Sequence, residues 1–152
     1  MKLAEALVER KALKDEIQDL RRRLQRVAKV QEGDEPVEKP LTLLRTIESK
    51  LGELEKQITR INRTNIAARL SDGRTLMEAI AERDMLKLQR AVLESLVEAA
   101  TPEHDRFSRK EIRYVSTVNV AEIQKSADQV AKRYRKLDAE LQALNWETEL
   151  VE

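Results

Sequence analysis

Two arginines stand where the apolar pattern of the chain asks for aliphatic residues. Arg10 interrupts the series Leu3, Ala6, Leu13, Ile17, and Arg83 interrupts the series Leu76, Ala79, Leu86. A guanidinium buried without a partner is very unfavourable, so each must meet carboxylates or carbonyls, or carry its head out to water. Glu9, Glu48 and Glu82 are the candidate partners, and Asn62, Asn65 and Asn145 can add hydrogen bonds. Two chemistries fit such a set. One is an internal ion-pair layer that fixes how the helices register. The other is a polar pocket for an anion or small ligand, built from Arg10, Glu48, Asn62, Asn65, Glu82, Arg83 and Asn145.

The pairs Glu5 with Glu9 and Glu78 with Glu82 are four residues apart, so each pair shares a helix face. Four carboxylates of this kind could hold a divalent cation. Metal sites in helical bundles, however, generally add a Glu-x-x-His on two helices. The single histidine, His104, follows Pro102 in an expected loop, where a solvent-exposed ring has no acid-base role. Ser108, Ser116 and Thr117 have no basic partner that the sequence places beside them. The three glycines, Gly33, Gly52 and Gly73, are too far apart to form a phosphate loop. With no cysteine, disulfides, thiol nucleophiles and thiolate-bound metals are excluded. No catalytic residue is assigned and no cofactor is implied, a divalent cation being the one weak alternative.

Four long helices must position these groups. The first is predicted from near Leu3 to about Val30, with Leu3, Ala6, Arg10, Leu13, Ile17, Leu20, Leu24 and Val27 on one stripe. Gln31 to Pro36 break it and Pro40 opens the second, from Leu41 to Ala68, whose stripe is Leu44, Ile47, Leu51, Leu54, Ile58, Ile61 and Asn65. Ser71-Asp72-Gly73 is a tight turn, and Thr75 with Glu78 matches a capping box. The third helix runs from Thr75 to about Ala100 on Leu76, Ala79, Arg83, Leu86, Arg90, Leu93 and Val97. It carries a second row, Met77, Ala81, Leu88, Val92, Leu96 and Ala99, so it is either central or used in self-association. Residues 101–118 are irregular, with a capping signal at Ser108 and Glu111 and a strand-favouring run over 112–118 that could pair with 27–31. The fourth helix starts at Asn119, with Ile123, Ala127, Val130, Tyr134, Leu137, Leu141 and Leu144 on its stripe.

The first and third helices share the pattern Leu-x-Glu-Ala-aliphatic-x-Glu-Arg-x-x-Leu, from Leu3 and from Leu76. The ends of the second and fourth also align, Leu54 to Asn62 over Leu137 to Asn145. The collinear order predicts an all-α chain of two αα-hairpin repeats, 1–70 and 71–152, within a single helical domain. A charged fraction of 38% with 41% hydrophobic residues suits narrow apolar stripes on solvated helices. A formal charge of +1 gives no field for nucleic acid or an anionic membrane. The basic runs Arg21 to Arg23 and Lys132 to Lys136 are flanked by acids and read as solvated faces. Trp146 is expected as a packing anchor or subunit contact. Glu5 sits where a secretory leader needs an apolar core, and no run approaches the roughly 20 apolar residues of a span, so a cytoplasmic setting is expected.

The opening Met1 to Leu7, then Ile61 to Asn65, Asp72 to Leu76, Ala81 to Asp84, Val115 to Val118 and Leu144 to Trp146, together resemble a family of uncharacterised bacterial proteins labelled septicolysin. The resemblance spans nearly the whole chain. It implies a helical fold and self-association with no established activity, and the label implies a cytolysin. It supplies no site residue.

Overall fold

The computed structural model describes residues 1–102 and 112–152. Among these residues four α-helices follow one another: α1 Leu3–Val27, α2 Pro40–Ala67, α3 Leu76–Ala100 and α4 Val120–Glu147. The chain is all-α, and the helices pair as hairpins, α1 with α2 and α3 with α4. Sequence punctuation explains the limits. Pro40 occupies the first turn of α2, where its missing N–H costs nothing. Thr75 Oγ1 accepts from the Glu78 N–H while Glu78 Oε2 accepts from the Thr75 N–H at 2.7 Å, the reciprocal cap that opens α3. Asn119 Oδ1 accepts from the Glu122 N–H at 3.2 Å, so Asn119 caps α4 rather than beginning it. Gly73, with φ of +88°, closes the turn between α2 and α3.

Two compact units are built on these helices, one of Met1–Arg69 with Gln142–Glu152 and the other of Leu70–Leu141. In the first, Ile17, Leu20 and Val27 of α1 pack on Leu43 and Ile47 of α2, with Leu24 and Leu54 against them. Arg23 pairs with Glu38 and Glu16 with Lys50, ion pairs that follow the antiparallel register. At the other end of this hairpin the seam sets polar groups among the buried Leu3, Ala6 and Ile61. Gln57 Nε2 donates to the Ala6 carbonyl at 3.2 Å and to Glu9 Oε2 at 3.1 Å. Thr64, fully buried, donates to the Arg60 carbonyl at 2.8 Å and accepts from the Val151 N–H at 2.9 Å. Lys2 and Glu149 form an isolated antiparallel bridge, flanked by Leu3 N–H to the Thr148 carbonyl at 2.9 Å.

In the second unit, Leu76, Ala79 and Leu86 of α3 and Ala127, Val130, Ala131, Leu137 and Leu141 of α4 are buried, with Leu70 from the turn. The stripes predicted for α1 and α4 are the buried or half-buried rows. That of α2 is shifted. The face it buries is Leu43, Ile47, Gln57, Ile61 and Thr64, while Leu44 and Leu51 are exposed, Leu51 by 48%. Aliphatic residues cover both flanks of this helix, so hydrophobicity alone could not choose between them. Residues 27–31 and 112–118 form no strand: Val27 ends α1, and the β-branched Ile112 and Val115 are exposed to solvent. His104 and the capping signal at Ser108 and Glu111 lie outside the described residues.

The two hairpins match in length. Leu76 and Ala100 each fall 73 residues after Leu3 and Val27, and Val120 and Glu147 each fall 80 after Pro40 and Ala67. At these offsets Leu3 matches Leu76, Ala6 matches Ala79, Ile61 matches Leu141 and Leu70 matches Leu150, all buried. The register between α2 and α4 is therefore 80, not the 83 suggested by Leu54 over Leu137. Three residues are nearly one helical turn, so aliphatic positions align at either offset.

Candidate functional site

Side chains able to bind a ligand gather where α3 begins. The Asp72 carboxylate accepts from the Arg74 N–H at 3.0 Å and from Arg74 Nε at 2.8 Å, and Arg74 also pairs with Glu82. The Arg74 guanidinium holds the Asp72 carboxyl below the ordinary carboxylate range, and Asp72 with Glu82 fixes Arg74 as a cation. From α4, Arg133 approaches the second oxygen of Glu82 at 3.4 Å, and Ser71 Oγ donates to Glu140 at 3.4 Å. Lys136 joins them in an open groove of about 500 Å³ whose apolar lining is Leu86 and Leu137. Three cations, Arg74, Arg133 and Lys136, thus share one groove with three carboxylates, Asp72, Glu82 and Glu140. Lys136 makes no ion pair among the described residues.

Arg83 points along the same hairpin. Its guanidinium contacts Asp84 at 2.9 Å and Asp138 of α4 at 3.4 Å. Burial works against this charge, and Asp84 and Asp138 outweigh it, so Arg83 stays protonated more firmly than a free arginine. Neither partner is one that the sequence offered. Arg10, its counterpart in α1, is half-buried and makes no ion pair among the described residues.

The remaining candidates do not converge. Glu48 and Asn62 are exposed, and Asn65 and Asn145 are half-buried in the first unit. Glu5 Oε2 accepts from the Lys2 N–H at 2.7 Å, and Glu78 is held in the α3 cap, so both carboxylates serve helix starts. Glu9 is bound to Gln57. Among the described residues no group of three or more His, Cys, Asp or Glu side chains is gathered as a metal site requires. Trp146 is 59% exposed. Sequence reasoning missed Asp72, Arg74, Arg133, Lys136 and Glu140. The signal was there in α4, where Arg133, Lys136 and Glu140 recur at three and four residues on one flank of the buried stripe.

A profile of a family of unknown function, DUF6847, matches residues 10–150. The crystal structure of a functionally unknown conserved protein from Corynebacterium diphtheriae is similar end to end, with 44% sequence identity, 99% of each chain covered and a TM-score of 0.94. No curated protein matches. Neither of the two matches carries the septicolysin label that the motifs suggested.

Proposed function

Because the chain belongs to the family of unknown function DUF6847, no activity comes to it from a relative, and we propose that it is a non-enzymatic helical assembly protein working as a homo-oligomer of even number. One observation carries this reading. Met77, Met85, Leu88, Val92 and Leu96 of α3 are between 38% and 61% exposed and lie in one row along the helix. A contiguous apolar strip of this kind on a soluble surface marks an interaction site. The polar seam residues Gln57, Thr64 and Arg83 then serve to fix register, as polar groups between helices commonly do. On this reading the protein works in the cytoplasm, without nucleic acid and without a resident cofactor. Light scattering from micromolar to millimolar protein tests it: a mass rising towards twice the 17.6 kDa of one chain is expected, and a single-chain mass throughout refutes it.

A second reading, a bundle that binds a ligand or divalent cation through Glu and Arg side chains at the starts of α1 and α3, draws on the mixed-charge groove for its α3 half alone, through Arg74 and Glu82. Native mass spectrometry with elemental analysis separates it from the first: a bound small molecule or metal supports it, and bare chains oppose it. The cytolysin reading has the least support, since no helix among the described residues is long and apolar enough to cross a membrane. Dye release from vesicles above the buffer level would revive it.

A further inference from the structure

Resting on that assembly reading, we infer that the partner is a second copy of the chain, and that α3 packs antiparallel on α3 across a two-fold axis at Leu88. The exposed row is Met77, Ala81, Met85, Leu88, Val92, Leu96 and Ala99. Its steps of four, four and three repeat every eleven residues, or about 3.67 per turn, close to the 3.6 of a straight α-helix. The row therefore runs almost straight for about 33 Å instead of spiralling around the helix. It lies roughly 150° around the helix from the row that faces α4, at about 100° per residue. One helical neighbour in the hairpin leaves it uncovered.

The fold does not require this row. Shifted back by 73 residues, the same positions in α1 are Ala4, Val8, Ala12, Asp15, Asp19, Arg23 and Arg26. Beyond the first turns that row is charged, as a solvated helix face should be. Helix α3 keeps aliphatic side chains where its structural counterpart carries ions, so the apolar row answers to something outside the hairpin.

Residue sizes set the occupant and its direction. Reversing the row about Leu88 places Met77 opposite Ala99, Ala81 opposite Leu96 and Met85 opposite Val92, with Leu88 facing itself. Large then meets small at both ends, Met85 meets the shorter Val92, and the one like pair, Leu88 with Leu88, falls on the axis. A parallel pair would leave voids between two copies of Ala81 and of Ala99, and would face Asp84 with a second Asp84. Reversal moves Asp84 beside Ala91 and Val92 instead. A strip of about 33 Å by ~10 Å projects on the order of 330 Å² per copy, well under the roughly 800 Å² per partner of a standard specific interface, so the dimer is weak, reversible and concentration-dependent.

The chain has no cysteine, so single-cysteine variants report contacts cleanly. In a mildly oxidised solution of folded protein, Leu88→Cys should cross-link to itself roughly tenfold or more faster than Val8→Cys, the exposed control on α1, because pairing raises the local thiol concentration. Met77→Cys alone should not cross-link, but mixed with Ala99→Cys it should. Self-linking of Met77→Cys would show a parallel pair and overturn the inference. A dimer by light scattering in which Leu88→Cys reacts no faster than the control would also overturn it, leaving assembly through another surface. A single-chain mass at every concentration would remove both readings together. Leu88→Asp, read by the same scattering, should weaken the dimer by roughly 100-fold, since the axis brings its two charges face to face.

Discussion

Gln57 tests whether the polar end of the first hairpin contributes stability or specificity. Its side chain is 7% exposed, and its amide donates to the Ala6 carbonyl and to Glu9. Leu137, 80 residues on, takes the corresponding place in α4 and is equally buried. Replacing Gln57 by Leu removes two hydrogen bonds, together about 1–3 kcal/mol. It strands no group, because the Ala6 carbonyl keeps its place in the α1 ladder and the exposed Glu9 turns to water. Burying leucine returns about 1.5–3 kcal/mol. The terms nearly cancel, so Gln57→Leu should lie within ~1 kcal/mol of the parent, a Tm change of at most about 2–4 °C for a chain of this size. Gln57→Ala loses the same bonds and leaves a void, and should cost ~2 kcal/mol or more. Thermal unfolding followed by circular dichroism decides. If Gln57→Leu falls as far as Gln57→Ala, the hydrogen bonds dominate and the cancellation reasoned here is wrong.

Thr75→Ala removes the hydroxyl half of the α3 cap and should cost about 1 kcal/mol by urea unfolding, with helical signal retained. Leu20→Ala, in the packed core of the first unit, should cost ~2–5 kcal/mol, whereas Leu93→Ala, its half-buried counterpart in α3, should cost less than half of that. Equal losses would mean that the two hairpins are packed alike. On acidification, Glu38 beside Arg23, Asp72 beside Arg74 and Glu149 beside Lys2 act together, each carboxyl being held below its ordinary value. With folded pKa values below unfolded ones, their stabilisation is present above the ordinary carboxyl range, about pH 4–4.5, and is lost as pH falls below that range through the lowered folded values. Tm measured at stepped pH should therefore drop over that window, and less steeply at high salt because the pairs are exposed. A flat or rising profile contradicts it.

Helices with one regular aliphatic row were legible in the sequence, because steps of three and four leave a single face to bury. The rows of α1 and α4 came through in this way, as did the turn at Gly73 and the caps at Thr75 and Asn119. The face of α2 did not, since Leu44 and Leu51 compete with Leu43 and Ile47 while its true seam holds Gln57 and Thr64. The partner of Arg83 was hidden for another reason. Asp138 lies 55 residues away, and only the register between α3 and α4 brings them together. The binding candidates Arg10, Glu48 and Asn62 were chosen for lying on or near an apolar stripe, and that says nothing of what stands opposite. The groove at the start of α3 depends on a turn and two helices at once, so the spacing of Arg133, Lys136 and Glu140 on α4 announces one wall of it but not the other.

The difference between two hairpins of equal length says more than either alone. In the first, the end remote from the chain termini is closed by Ile17, Leu20, Val27, Leu43 and Ile47. At the matching places the second has Arg90, Leu93, Ala100, Ile123 and Ala127, of which only Ala127 is buried. It has less to bury inside and carries its surplus, Leu88, Val92 and Leu96, on the outer face of α3. A hairpin with a thin interior gains little stability from its own seam, so a cover for the outer row would add proportionately more to it than to the first. If the proposed pairing supplies that cover, assembly and the local stability of α3 rise together with concentration. The first hairpin, whose outer row is ionic, should be indifferent to it.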